Sequence, residues 1–378
     1  MSGDDRRRIQ STARRIVVKV GTSTLTHQGR VRPRKFGELA RSICELTDAG
    51  REVVLVSSGA IAVGSHRLGW THPGRSIREK QAAAAVGQVG LGEIYRNRFK
   101  RHGREIAQVL VTRTGLEDRE RFLNARHTLL ELLRLGVVPI VNENDTVATD
   151  EIRFGDNDNL SATIVNLIGA QLLVILTDVD GLYEAPPVRG RRRPPLVDVV
   201  EKITPEIRAA AQGSDSSFGR GGMSTKLEAA ESAALTGAAT VLCNGARADI
   251  LTQVVAGQSV GTLFLPGERL TSRKHWLAFT TRTRGALVID DGAIKAVVKN
   301  GRSLLPAGIV AVKGEFGIGD AVKCVDSKGG EHARGLVAYS SRDIARILGQ
   351  PTNRIEPVLG YSHGAEVIHR DDLVVLAD

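Results

Sequence analysis

The sequence predicts an α/β fold: a mainly parallel sheet sandwiched by helices, followed by a small β-rich barrel. Three observations carry the prediction. From Arg14 to about Leu265, short runs of consecutive Val, Ile and Leu recur, as in strands covered on both faces. Between most of them lie stretches of helical length and period. After Pro266 the rhythm changes to short alternating runs punctuated by glycine, the pattern of a small barrel. A chain of 378 residues has room for two domains that each bury a core.

Taken in order, the strand candidates are Ile16 to Val20, Glu52 to Ser57, Glu105 to Val111, Val137 to Val141, Leu172 to Thr177 and Ala239 to Asn244. In the helical stretch PRKFGELARSICELTDAG, Phe36, Leu39, Ile43 and Leu46 recur at three or four, and Gly50 supplies the stop. Ile77 to Tyr95 carries Ala82 to Ala85, Gly87, Gly90 and Gly92. These small residues permit close backbone approach, with a second subunit as one partner; helix propensity alone is the other reading. Leu182 to Val200 reads as an exposed hairpin or flap, its Arg189 to Arg193 run a solvated tip, because its prolines do not suit a central strand. The expected boundaries are 14–265 for the first domain, 266–282 for a linker with one short helix and 283–378 for the second domain. In the last, ALVID, IKAVV, IVAVK, AVKCVD, RGLVAYS and EVIHRDDLVVL read as strands and SRDIARIL as a helix.

With 42% hydrophobic and 25% charged residues, the composition is globular. The start, MSGDDRRRIQSTARR, is charged, and no apolar run approaches the ~20 residues of a membrane span, so a cytoplasmic protein without a membrane partner is expected. Cys44, Cys243 and Cys324 are far apart and lack CxxC spacing or clustered histidines, which argues against a disulfide framework or a zinc site. Cys44 and Cys243 fall in apolar-periodic segments and are expected in the core. A net charge of +10 fits a nucleic-acid binder or a protein that attracts polyanionic nucleotides. Aromatic residues are only 4% and most cations are dispersed, against a single-strand stacking platform.

One stretch runs against the global charge. From Asn142 to Asn159, NENDTVATDEIRFGDNDN holds Glu143, Asp145, Asp150, Glu151, Asp156 and Asp158 against Arg153 alone. It follows a strand candidate and leads into the helical LSATIVNLIGA, the place where ligands of open α/β sheets bind. Its carboxylates and amides suit a substrate ammonium or the waters of a hydrated magnesium ion. An acidic, turn-rich surface loop is the alternative.

Neither GxxxxGK[ST] nor a GxGxxG at the first strand turn is present, but three other elements end at the same predicted sheet edge. In VVKVGTST, Lys19 precedes a turn of Gly21, Thr22 and Ser23 that could offer N–H groups and hydroxyls to phosphate, or be an ordinary turn. In SSGAIAVG, Ser57, Ser58 and Gly59 open a helix, as an anion site or as plain caps. In FGRGGMSTKLEAA, Gly219, Gly221 and Gly222 precede a helix started by Ser224 and Thr225, with Lys226 in its first turn. That arrangement is a phosphate cradle or a glycine hinge. Together the elements suggest an ATP-dependent kinase acting on a small zwitterionic or anionic acceptor. A carboxylate acceptor, with a pKa of about 4.3, is already ionised at neutral pH and needs no general base.

VVKVGTSTLT, LVSSGAIAVG, EDRERFLNAR, VVPIVNENDTVAT, GDNDNLSA, LTDVDGLY and GGMSTK jointly resemble the bacterial glutamate 5-kinases of the amino acid kinase family, over roughly Arg14 to Leu265. The tail from about Arg282 resembles a PUA domain. The resemblance implies transfer of the ATP γ-phosphoryl group to the side-chain carboxylate of L-glutamate, with Mg2+, as the first step of proline biosynthesis. It implies that Ser58, Asp145 and Asn157 bind glutamate. ATP would be held by Lys19, Thr177, Asp178, Arg220, Gly221, Gly222, Met223, Ser224, Thr225 and Lys226. Lys19 and Lys226 would stabilise the transition state, with Asp158 holding them; no metal ligand is assigned. Arg220 departs from the threonine frequent there. Inhibition by proline and assembly as a dimer or tetramer are implied too. The rivals are another amino acid kinase, or an RNA-binding or RNA-modification protein using the PUA-like tail.

Overall fold

The computed structural model describes residues 3–27, 30–148, 156–187, 192–211, 222–267, 274 and 276–376. Two compact units divide the chain, Met1–Arg269 and Leu270–Asp378.

The first unit carries strands β1 (Arg15–Val20), β2 (Thr26–His27), β3 (Arg30–Val31), β4 (Glu52–Ser57), β5 (Ile106–Val111), β6 (Val138–Glu143), β7 (Leu172–Thr177), β8 (Val199–Val200), β9 (Ala239–Asn244) and β10 (Thr262–Phe264). Its helices are α1 (Gly3–Thr12), α2 (Thr22–Leu25), α3 (Pro33–Asp48), α4 (Ala60–Arg67), α5 (Ile77–Phe99), α6 (Arg113–Leu116), α7 (Arg119–Arg134), α8 (Asp156–Ile168), α9 (Pro205–Ala211), α10 (Met223–Ala234) and α11 (Ile250–Val255). The sheet order is β5-β6-β4-β1-β7-β9-β10-β8. The six strands expected from sequence are its first six members, and each adjacent pair among them is parallel. Strand β10 runs antiparallel to β9, and the short β8 closes that edge parallel to β10.

Strand alternation sorts the side chains between two faces. Ile16, Val18 and Val20 of β1 join Leu55, Val174 and Val241 in one buried cluster with Phe36 and Ile43 of α3, Tyr95 and Phe99 of α5 and Val254 of α11. Val17 and Lys19 therefore face the other way, where α8 lies against β1 and β7, and α10 against β7 and β9. A one-residue slip of β1 would drive Lys19 into the apolar cluster. An unpaired buried ammonium costs several kcal/mol, and each misplaced aliphatic about 1.5–3 kcal/mol, so the register is strongly specified.

Local signals set the helix ends. Pro33 opens α3, and Gly50 follows it at φ 80, the left-handed region where glycine carries no Cβ penalty. Ser76 Oγ accepts from Glu79 N at 3.2 Å to cap α5, and Asp118 Oδ1 accepts from Arg121 N at 2.9 Å to cap α7.

Gly87 and Gly90 of α5 pack against α4 within the chain, while Ala82 and Ala85 are exposed. A Cβ on Gly87 would lie 1.7 Å from the Ala60 carbonyl oxygen, and one on Gly64 would lie 1.7 Å from that of Ala83. Helices α4 and α5 thus touch backbone to backbone through a pair of glycines. The flap is a ribbon at its base, where Tyr183 bridges Leu196 antiparallel, and its end forms β8. Residues 188–191 lie outside the described residues. Arg192 and Arg193 are exposed, but Arg193 pairs with Asp180 at 2.8 Å, so it is not a purely solvated tip.

The second unit has one sheet of β11 (Gly285–Ile289), β12 (Ile309–Lys313), β13 (Ala321–Val325), β14 (Glu331–Leu336) and β15 (Leu373–Val375), in the order β12-β11-β13-β14-β15. The expected helix forms as Ser341–Ile347. IKAVV is helical, not extended: Asp290 Oδ1 accepts from Ala293 N at 2.7 Å and caps a helix over Asp291–Ile294 that continues through Lys295–Lys299. Ile294, Val297 and Val298 fit a helical spacing as well as a strand, and the cap decides. Cys44 and Cys243 lie in the first core and Cys324 in the second. Among the described residues, no helix is long and apolar enough to cross a membrane.

Candidate active site

Lys19 points from β1 to the α8 face, where Asp158 waits in the first turn of α8. Its Nζ lies 2.6 Å from Asp158 Oδ1, and Lys226 Nζ, from the first turn of α10, lies 3.2 Å from Oδ2. Thr225 Oγ1 donates to the same Oδ2 at 2.8 Å. Asp158 is 0% exposed, Lys19 6% and Lys226 8%. Burial would raise the Asp158 carboxyl, but the charges of Lys19 and Lys226, with hydrogen bonds from Lys19 and Thr225, hold it below its ordinary value. Burial pushes the Lys226 ammonium down; Asp158 pulls it back and Lys19 adds to the depression.

One residue earlier on α8, Asn157 Nδ2 donates to Ser58 Oγ at 2.7 Å and to Asn142 Oδ1 at 3.0 Å. Asn157 Oδ1 is buried without a hydrogen-bond partner among the described residues. Ser58 stands between β4 and α4. Gly59, at φ 107, takes the cap position of α4, so the serine side chain is free to turn toward Asn157. Its neighbour Ser57 points into the core, 2.8 Å from Tyr95 OH. Consecutive residues of one helix therefore join a cationic group, Lys19 with Lys226, to a neutral polar group, Ser58 with Asn142.

The remaining predicted positions spread around this centre. Thr177 ends β7, buried, and donates to Asp178 Oδ1 at 3.1 Å, while Asp178 is exposed. Gly222 is the residue before α10, Met223 is buried and Ser224 exposed. Arg220 and Gly221 lie outside the described residues, as do Asp150, Glu151 and Arg153. Asp145 is half-buried in the turn after β6. Glu143 belongs to β6 rather than to a loop; it is 9% exposed and accepts from Arg113 N at 3.2 Å.

Two features escaped the sequence reading. Asn142 was one amide among several; its place in a strand that ends two residues later than expected buries it against Asn157. Asp180 is a hub at the ends of β7 and β9, accepting from Asn244 Nδ2 at 3.0 Å, Tyr183 OH at 3.0 Å and Arg193 Nη1 at 2.8 Å. Its only sequence signal was its place in LTDVDGLY, just past a strand. Among the described residues, no group of three or more His, Cys, Asp or Glu is placed to hold a metal ion.

Chemically, the first group can neutralise a phosphoryl oxygen and the second can bind a polar acceptor beside it. A model of the amino acid kinase family matches residues 14–244, and one of the PUA domain matches residues 285–359. The glutamate 5-kinase of Paraburkholderia phymatum is 50% identical over 375 residues, 98% of this chain and 100% of that protein. That of Cupriavidus taiwanensis is 51% identical over 369 residues, 96% of this chain and 98% of the relative. The solved structure of UMP kinase from Bacillus anthracis aligns at a TM-score of 0.45 and 14% identity, over 67% of this chain and 96% of its own. Family match and full-length relatives agree: the chain belongs to the amino acid kinase family, in its glutamate 5-kinase branch, and carries a C-terminal PUA domain.

Proposed function

We propose that the protein transfers the γ-phosphoryl group of ATP to the side-chain carboxylate of L-glutamate, giving L-glutamate 5-phosphate and ADP, the first step of proline biosynthesis. The observation that carries this reading is the convergence of Lys19 and Lys226 on Asp158, one residue from the Ser58–Asn157 pair. A glutamate carboxylate oxygen attacks the γ-phosphorus, a new P–O bond forms, and the bond to the β-phosphate oxygen breaks. The two ammonium groups offset charge on the transferring group, and Asp158 holds them without entering the reaction. The acceptor is already ionised at neutral pH, so no side chain has to remove a proton. Ser58, Asn157 and Asp145 bind glutamate, and Asn157 Oδ1, buried and without a hydrogen-bond partner among the described residues, suits an ammonium donor.

Thr177, Asp178 and the loop and helix start from Arg220 to Lys226 hold ATP. Magnesium would enter with ATP as the MgATP substrate; both Asp158 oxygens face lysines, so that carboxylate is not its ligand. The kinase domain is taken as 14–265, a linker as 266–282 and the PUA domain as 283–378. The reading includes a cytoplasmic location, inhibition by proline at a site overlapping that of glutamate, and a homo-oligomer, dimer or tetramer. Supporting the last, Leu110 on edge strand β5 is 39% exposed and Val89 on α5 is 61% exposed, apolar surface beside an open strand edge.

A coupled ADP-release assay with ATP, magnesium and L-glutamate, with hydroxylamine to trap the acyl phosphate, tests the reaction. Hydroxamate formation that requires glutamate is expected. Turnover with aspartate, acetylglutamate or a nucleoside monophosphate in its place would replace this reading.

A further inference from the structure

Between α5 and the β5–β6 pair lies a small cavity, with about 10 Å³ open to the centre of a water-sized molecule. It is lined by Gln88, Leu91, Tyr95, Gln108, Ile140 and Asn142, with others, and has room for about one water. Gln88 is 9% exposed, and neither atom of its carboxamide has a hydrogen-bond partner among the described residues. Native folds rarely leave a buried amide so. Its backbone carbonyl accepts from Gln108 Nε2 at 3.4 Å, which leaves the side chain to the cavity.

Two hydrogen-bond routes lead from the cavity wall to Ser58. Asn142, 4% exposed, accepts from Asn157 Nδ2, which also donates to Ser58 Oγ. Tyr95 OH contacts Ser57 Oγ, which donates to the Ser58 carbonyl at 3.0 Å.

We propose that Gln88 is a positioning residue for the acceptor site, holding one water in this cavity that bonds to the Asn142 side chain and fixes the Asn142–Asn157–Ser58 chain from behind. The inference rests on the reading of Ser58 and Asn157 as glutamate ligands. A buried water needs two to four polar partners, which the Gln88 carboxamide and Asn142 supply. Asn142 Oδ1 already accepts from Asn157, so its Nδ2 is the end that donates to the water. A water donates or accepts equally well, so Asn157 sets the sense of the Asn142 amide and the water holds that side chain in place. With that amide flipped, donor would face donor at Asn157, and Asn157 would lose the bond that aims it at Ser58.

Gln88→Met keeps length and volume and removes both polar atoms. The expected result is a KM for glutamate raised about tenfold, the effect of one ordinary hydrogen bond, with the KM for ATP and the melting temperature little changed. In an Asn142→Ala background, Gln88→Met adds nothing further, because it acts through Asn142. An unchanged glutamate KM, or full additivity with Asn142→Ala, overturns the proposal. Independently of any variant, a crystal structure of the wild-type protein with resolved waters is expected to place one within hydrogen-bond distance of both Gln88 and Asn142; a dry cavity overturns it. Asn157→Ala separates the two readings. If it raises the glutamate KM and Gln88→Met does not, the positioning role alone fails; if neither does, the acceptor-site assignment fails with it.

Discussion

Lys19 and Lys226 share one carboxylate, each ammonium on a different oxygen of Asp158, at 2.6 Å and 3.2 Å. Two buried like charges repel, and the fully buried anion between them makes their proximity tolerable. The arrangement presets two cations where a phosphoryl group would gain charge, so little reorganisation is required during transfer.

Lys226→Ala is expected to lower kcat by about 10²- to 10³-fold while leaving the KM for glutamate nearly unchanged, because the lost contact concerns charge that develops in transfer. Steady-state kinetics with both substrates varied checks it. An unaltered kcat removes Lys226 from the role.

Asp158→Asn leaves two ammonium groups without their buried counter-charge and should cost about 3–5 kcal/mol of stability at neutral pH. Lys19 and Lys226 hold the Asp158 carboxyl below its ordinary 3.8 despite burial, so the unfolded chain takes up this proton first as pH falls. The stabilisation is complete above 3.8 and is lost as pH falls from there through the lower folded value. Denaturation of wild type and variant side by side should show a gap that narrows in acid; a constant gap contradicts the linkage.

Burial holds the Lys226 ammonium below its ordinary 10.5, although Asp158 opposes the shift. The alkaline limb of kcat/KM, which reports the free enzyme, should therefore fall below pH 10.5. For this group the unfolded chain keeps its proton to higher pH than the folded one. Its contribution to stability consequently rises with pH in that window, and activity lost there is not unfolding caused by Lys226. A pH–rate profile paired with melts over the same range separates the two.

Asn157→Ala and Asp145→Ala are each expected to raise the KM for glutamate, about tenfold or more, with a smaller effect on the KM for ATP. Should Asp145→Ala leave the glutamate KM unmoved, the turn after β6 does not hold the substrate amine.

Gly87→Ala puts a methyl group 1.7 Å from the Ala60 carbonyl oxygen, so α4 and α5 must separate. Destabilisation of about 1–3 kcal/mol is expected by urea unfolding. Because α4 begins just after Ser58, a higher KM for glutamate should accompany it.

Six strands and most long helices of the first unit were legible because their signals are local: consecutive Val and Ile, a three-to-four period, a proline or serine at one end and Gly50 at the other. IKAVV was misread because five residues with apolar positions fit both periods, and the Asp290 cap breaks the tie. Asn142 and Glu143 read as loop because β6 runs two residues past its apolar part.

By itself the sequence determined the parallel α/β architecture, the change of rhythm before the second unit, and the residue types on which the site is built. Tertiary structure alone decided that β1 lies between β4 and β7, which brings Ser58, Lys19 and Thr177 to neighbouring strand ends. It also decided that Lys19 and Lys226 meet on Asp158, that Gly87 and Gly90 of α5 pack against α4, and that Gln88 lines a cavity behind Asn142. The physical reason is range. Periodicity and capping act over a few residues, whereas these contacts join segments far apart in the chain and exist only after the sheet has chosen its strand order.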